Sequence, residues 1–314
     1  MSIWSHRDGP VIVIGSSGID IISHAVGSIQ SGTSNPCEFR LSPGGVARNI
    51  AENLARLGTD VYLITAVGDD TQGHDLLEHT MQSGVNIDYS RIVPDKTTGS
   101  YLAILDPEGN LNLGMYDMRV VEALSTKHLH SCSGLFKEAS MVAVDANLPP
   151  KALRTVFSLA RKYNVPVAAD PTSVGQAPRL ARHLDRITLL TLNANEANAL
   201  CPRDIRVRDR EEVLEVARYL LSQDVDIVVV AMAEFGVVYA STKVSGHVPA
   251  VQTDILDPTG AGDALTAAVI FGLLNNIPLD ETVRLGISAA ALTLRSPGTV
   301  SEELTLERLY AQLR

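Results

Sequence analysis

Six short runs rich in β-branched and other apolar residues punctuate the chain: VIVIG (11–15), VYLITAVG (61–68), MVAVDAN (141–147), VPVAADP (165–171), ITLLTLN (187–193) and DIVVVAM (226–232). Each gives way to polar or glycine residues and then to a stretch of helical period. Such stretches cover 45–57, 71–83, 150–163, 211–223, 261–274, 280–294 and 304–313. Strand runs alternating with amphipathic helices predict an α/β fold on a doubly wound, mostly parallel sheet with helices on both faces. With 314 residues, 45% of them hydrophobic, the chain can fill one large core of this kind.

Two segments break the alternation. The stretch TTGSYLAILDPEGNLNLGMYD (97–117) alternates around a DPEGN turn and predicts an antiparallel hairpin. A second extended piece, about 19–42, lies between the first strand and the first helix. Paired together, the two form a small β-sheet lid over the carboxyl ends of the core strands, where open α/β sheets take their ligands. No internal repeat, low-complexity segment or linker divides the sequence, which is therefore expected to form one domain over 1–314 with a discontinuous lid from about 19–42 and 97–117.

The formal net charge is −10, with no run of Lys or Arg, which argues against nucleic acid or an anionic membrane surface as partner. Cys37, Cys132 and Cys201 are far apart and form no CxxC pair, the pattern of free thiols in a reducing cytoplasm. The first ten residues are polar with one Trp, without the basic start and apolar stretch of a signal peptide. The uncharged apolar run 264–274 is too short to span a bilayer.

The most distinctive stretch is ILDPTGAGDALTAAVIFGLL (255–274). Pro258 ends an extended segment, Gly260 and Gly262 let main-chain N–H groups approach a ligand, and the helix that follows favours an anion at its start. Asp263, in the first helical turn, is placed to accept a proton from an attacking hydroxyl as a nucleotide's terminal phosphoryl group arrives. The simpler alternative is a tight turn with a capping carboxylate. Against it stand the apolar character of the helix and the absence of any other nucleotide motif: neither G-x-x-x-x-G-K-[ST] nor a G-x-G-x-x-G in the first βα turn occurs.

This turn and the segment GGVARNIAENLARLG (44–58), with Gly68 ten residues on, resemble the two signatures of the ribokinase (PfkB) carbohydrate kinase family. The resemblance covers essentially the whole chain and implies a ribokinase-like fold, ATP as co-substrate and Mg²⁺ as cofactor. On it, Asp263 is the catalytic base, and the amides of Gly260, Ala261 and Gly262 stabilise charge on the moving phosphoryl group. Asp20, in GSSGID (15–20), together with Gly44, Gly45 and Asn49, holds the sugar. In NANE (193–196), Glu196 organises Mg²⁺ through water and Asn193 steadies that network beside the nucleotide; a helix cap explains the tetrad equally simply. Glu234 and Gly236, in AMAEFGVVYA (231–240), fall on the nucleotide side. Asp257 and the Thr259 main chain correspond to a monovalent-cation (K⁺) site in some relatives, while a turn-stabilising Asp is the plain alternative. Relatives often pair through their lids, which implies a homodimer. The sequence departs from the family pattern at Gly18, where Asn is usual, at Asn198, where an acid often stands, and at Ala233, where Gly is usual.

Within the family, SNP (34–36), GSYLAILDPEGN with YDM (116–118), VDANLP (144–149) and VPVAADPTS (165–173) look like the lid, hairpin and strand-end segments of the group that phosphorylates free pseudouridine at its 5′-hydroxyl. Asn147 and Asp117 are then contacts for the base or lid. Ribose, another nucleoside or another sugar stays open as acceptor, as does a non-catalytic binding role. Two features carry no chemistry: His128 and His130 in KHLH (127–130) lie on different faces of a helix and are expected at the surface, and RDIRVRDREE (203–212) reads as a solvated loop entering a helix.

Overall fold

A computed structural model describes residues 7–201 and 209–313. The first half runs through β1 (Val11–Ile14), β2 (Gly18–Ala25), β3 (Cys37–Gly44), α1 (Val46–Arg56), β4 (Val61–Ile64), β5 (Ala66–Gly68), α2 (Thr71–Gln82), β6 (Arg91–Val93), β7 (Gly99–Leu105), β8 (Leu111–Asp117), α3 (Thr126–Ser131) and α4 (Ser133–Glu138). The second adds β9 (Met141–Asp145), α5 (Pro150–Tyr163), β10 (Val167–Asp170), β11 (Leu189–Asn193), α6 (Ala194–Leu200), α7 (Arg210–Leu221), β12 (Ile227–Ala231), β13 (Val237–Ser241), β14 (Ser245–Val248), α8 (Ala261–Leu274), α9 (Leu279–Leu294) and α10 (Leu306–Ala311).

Eight strands make the main sheet in the order β14-β13-β12-β11-β10-β9-β1-β4. The pairs from β4 to β12 are parallel, and β13 and β14 close one edge antiparallel. From β1 the chain steps to β4 on one side and later returns to β9 on the other. That reversal opens a crevice at the carboxyl ends of β1 and β9. Side chains of successive strand residues point to opposite faces. Thus Val11 and Val13 join one core with α1, α8 and α9, and Ile12 and Ile14 join another with α3, α4 and α5. Cover on both faces is why these strands read as continuous apolar runs.

Helix α8 is apolar all round because it is enclosed. It packs on α1, α9 and β11, and every residue from Asp263 to Leu273 is buried. The approach to α9 is close: a Cβ on Gly286 would fall 2.6 Å from Leu265 Cδ1, and one on Gly272 2.5 Å from Thr282 Oγ1.

The lid expectation is realised as a separate sheet in the order β3-β2-β7-β8, in which the piece 19–42 resolves into two antiparallel strands. Its register lines up Ser42, Asp20, Tyr101 and Tyr116 in one row across the four strands. The run 61–68 does not form one strand. β4 joins the main sheet, and β5 leaves it to pair with β6, the break falling at Thr65, whose hydroxyl is drawn to the Gly15 carbonyl at 2.8 Å. His128 is not at the surface either: it is half-buried, a ring nitrogen 2.9 Å from the Tyr89 carbonyl oxygen, while His130 is exposed. Most of 203–212 lies outside the described residues; α7 starts at Arg210 with Asp209 as its cap. Among the described residues no helix is long and apolar enough to cross a membrane, and the three cysteines are unpaired.

Candidate active site

The turn after β1 and the start of α1 are tied together by Asp145, the last residue of β9. Its carboxylate accepts hydrogen bonds from Ser16 N and Oγ, both at 2.7 Å, from Ala47 N at 3.1 Å and from Asn147 N at 2.9 Å. Burial pushes its pKa up, and those hydrogen bonds oppose the shift. Its sequence signal is an acid that closes an apolar strand.

The two glycines before α1 have different reasons. Gly45 has φ +97°, and a Cβ there would meet Ser17 Cα at 2.5 Å, so the turn itself requires glycine. Gly44 makes room for Asp20, whose carboxylate lies 2.3–2.4 Å from where a Cβ would stand. Gly18 faces Gly44 and Gly99 in the lid sheet, and a Cβ on it would fall 2.6 Å from the Gly99 carbonyl oxygen. An Asn cannot be placed there without parting the strands.

Asp20 is buried and accepts no hydrogen bond from a described residue. Desolvation raises its pKa to about 7, with Arg48 opposing and Asp257 adding to the shift. Arg48, absent from the sequence reading, is the organiser of α1. It is fully buried, pairs with Glu52, donates to the carbonyls of Gly44 (3.0 Å) and Pro43 (3.1 Å), to Thr299 Oγ1 (3.0 Å) and to Asn49 Oδ1. Thr299 Oγ1 also donates to Asn49 Oδ1 at 2.9 Å. With its oxygen so occupied, Asn49 turns its amide to Asp263, Nδ2 to Oδ2 at 2.6 Å. The residue expected to face sugar hydroxyls thus also holds the carboxylate at the head of α8.

Asp263 is buried in the first turn of α8, and desolvation lifts its pKa to about 7. Asn49 and Arg48 oppose that rise, and the charges of Asp20 and Asp145 add to it. Gly260 before it has φ +83°, with Thr299 O only 1.9 Å from a notional Cβ, so this turn also demands glycine. Asn193 and Glu196 form a reciprocal cap on α6, Glu196 N to Asn193 Oδ1 and Asn193 N to Glu196 Oε2, both 2.9 Å. Glu196 and Asp170 are buried near one another, and each is pushed up mainly by desolvation. Both oxygens of Asp257 are engaged, one by Thr259 N at 2.9 Å and the other by the Arg40 guanidinium.

These elements surround a cavity of about 590 Å³. It gathers Asp20, Gly45, Asn49, Asn147, Thr259, Gly260 and Asp263, with Asn193 and Glu196 at one end. Its lid wall is Tyr101, Leu111, Tyr116 and Met118; Tyr101, Tyr116 and Met118 fall in the segments GSYLAILDPEGN and YDM, whereas Leu111 and Gln176, whose amide donates to Asn147 Oδ1 at 2.7 Å, lie outside the segments that carry the resemblance. Asp117, Glu234 and Gly236 do not line it. Asp117 is half-exposed and paired with Arg119 at 2.5 Å, which holds its pKa down at about 2. Glu234 sits in an exposed 3₁₀ turn, and Gly236 is required by the Val248 carbonyl packed against it. A larger cavity, about 710 Å³, lies on the other side of Arg48 toward the 295–303 loop. It shares Arg48 and Thr299 with the network above but contains neither Asp263 nor its turn, so the smaller one is the candidate active site.

A buried carboxylate at a glycine turn and helix start, facing a second across a cavity roofed by a small sheet, is an arrangement with known counterparts. The model of the pfkB family carbohydrate kinases matches residues 9–305. The chain belongs to that family. A pseudouridine kinase of Escherichia coli K12 is 33% identical over 302 residues, 96% of this chain and 95% of that one. A guanosine-inosine kinase of Exiguobacterium acetylicum is 30% identical over 302 residues, 94% and 98% of the two chains. A ribokinase of Arabidopsis thaliana, solved with ribose and ATP, superposes with a TM-score of 0.85 over 98% of this chain and 99% of that one, at 21% identity. The fold is therefore ribokinase-like. As a member of the PfkB family the protein is an ATP-using phosphotransferase that takes an alcohol group of a sugar or nucleoside as acceptor.

Proposed function

We propose that the enzyme transfers the γ-phosphoryl group of ATP to the 5′-hydroxyl of free pseudouridine. The observation that carries the reading is the pairing, in one cavity, of Asp263 at the head of a buried helix with Asp20 beneath an aromatic lid. Asp20, whose side-chain oxygens have no donor among the described residues, accepts hydrogen bonds from the two vicinal ribose hydroxyls, with Gly45 and Asn49 beside it. The wall of Tyr101, Tyr116, Leu111 and Met118 suits a flat base better than it suits bare ribose. Both curated relatives described above are named for nucleosides.

Asp263 takes the proton of the 5′-hydroxyl, and the amides of Gly260, Ala261 and Gly262 receive the anionic phosphoryl group at the start of α8. A hydroxyl is a weak nucleophile, so positioning and electrostatics supply most of the acceleration. Glu196 and Asp170 are hard-oxygen groups whose mutual repulsion suits a divalent cation. Among the described residues no cluster of three or more potential metal ligands occurs, which fits Mg²⁺ held mainly through water and phosphate. Bound there, Mg²⁺ neutralises triphosphate charge.

Turnover across pseudouridine, guanosine, inosine and ribose with ATP and Mg²⁺ tests the acceptor. Pseudouridine should show the highest kcat/KM; guanosine or inosine in first place would assign a purine nucleoside, and ribose would remove the base from the reading. Asp263→Asn should keep ATP binding and lose at least about a thousandfold in kcat, about 4 kcal/mol. Near-normal turnover would remove Asp263 from the role of base.

A further inference from the structure

We infer that Arg40 is a built-in cation that serves Asp257 in place of a monovalent metal ion, so that phosphoryl transfer in this protein does not depend on K⁺. The inference rests on the kinase reading of the cavity but not on which acceptor is used. Asp257 heads the turn that carries Gly260 and Asp263, and its side chain is 3% exposed. A carboxylate so deeply buried needs a counter-charge. Here that counter-charge is already in place: one oxygen holds the Thr259 amide, fixing the turn, and the other holds the Arg40 guanidinium. A guanidinium keeps its charge at every working pH and brings its own directed donors.

Arg40 reaches this place from β3, a lid strand 217 residues earlier in the chain, and its side chain is still one-third exposed. The other end of the turn's approach is fastened to the core, since the Leu256 and Asp257 amides donate to the Leu294 carbonyl at the end of α9. The ion pair therefore joins lid and anion turn directly. Arg40 is a positioning residue: it acts through Asp257 on the amides at 259–262, not on the reacting atoms.

Two readouts test this. At constant ionic strength, wild-type kcat should differ by less than about twofold between K⁺, Na⁺ and tetramethylammonium salts. Arg40→Ala should lose at least about tenfold in tetramethylammonium and regain most of it with K⁺ or free guanidinium, whereas Arg40→Lys stays active and K⁺-independent. Melting without substrates gives a second measure: K⁺ should leave the wild type unchanged and raise the midpoint of Arg40→Ala by about 3 °C or more. A wild type stimulated manyfold by K⁺, or an Arg40→Ala protein as active and as indifferent to cations as the wild type, overturns the inference. If no sugar or nucleoside is phosphorylated at all, the kinase reading has failed instead, and the melting comparison still decides the role of Arg40. Should Arg40→Ala not fold, the Lys and Gln variants carry the same comparison.

Discussion

At the scale of single residues, the two carboxylates of the cavity differ from ordinary aspartates in the same direction. Burial lifts both Asp20 and Asp263 from 3.8 to about 7, and the charge of Asp20 adds to the rise at Asp263. A base must be deprotonated to act, so kcat/KM for the acceptor should fall as pH drops below about 7, more steeply than one proton per pH unit because both groups titrate there. The linkage sign follows from folded pKa values above the unfolded ones. The stability these groups contribute is full below about pH 4 and is lost as pH rises through about 7. Asp20→Asn removes a neighbouring negative charge, so the Asp263 titration, followed by its ¹³C carboxyl shift, should move to lower pH. An unmoved midpoint, or a rate profile flat from about pH 5 to about pH 8, would mean that the two sites do not interact as described.

At the scale of elements, much could be read in the sequence because local patterns and tertiary burial agree. The apolar runs became parallel strands, each candidate helix formed with ends shifted by a residue or two, and DPTGAGD folded into the turn and helix start that its glycines and proline dictate. What stayed hidden depends on distant partners. Nothing near Arg48 in sequence shows that Thr299 will meet it, and an Arg in an amphipathic helix normally reads as solvated. The same holds for Arg40 and Asp257, and for the lid residues, whose side of the sheet depends on register. At Ala233 the backbone has φ +48°, which accounts for the family's usual Gly and leaves this Ala in a left-handed turn. Helix α1 gives a test of the hidden layer. Arg48→Met leaves buried Glu52 with Arg56 as its main partner and should destabilise the protein by about 3–5 kcal/mol in denaturant melts. It should also lower kcat, because Asn49 loses one of the two donors that fix its amide on Asp263. Adding Glu52→Leu should restore most of the stability but not the rate; recovery of both would show that Arg48 only supports the fold.

At the scale of the whole molecule, the lid sheet has two unlike faces. Side chains two apart on a strand share a face, so Asp20, Tyr101 and Tyr116 look into the cavity, while the neighbouring register positions hold Leu41, Ile21, Leu102 and Met115, then Phe39, Ser23, Ile104 and Leu113, on the other face. Phe39, Leu41, Leu113 and Met115 are each roughly half or more exposed. Exposed apolar side chains gathered on one face, unlike scattered ones, mark an interaction surface. We propose that a second copy of the chain covers it, joining two lids back to back, as the family resemblance implies. Sedimentation should then give twice the 33.6 kDa of one chain at micromolar concentration. Leu113→Lys combined with Met115→Lys places like charges at the centre of the contact and should yield a monomer with the fold intact. Because the same strands carry Asp20, Tyr101 and Arg40, separating the subunits should weaken acceptor binding more than ATP binding. A wild-type chain that sediments as a monomer would leave the apolar face without this partner, and equal losses for both substrates would uncouple the interface from the lid.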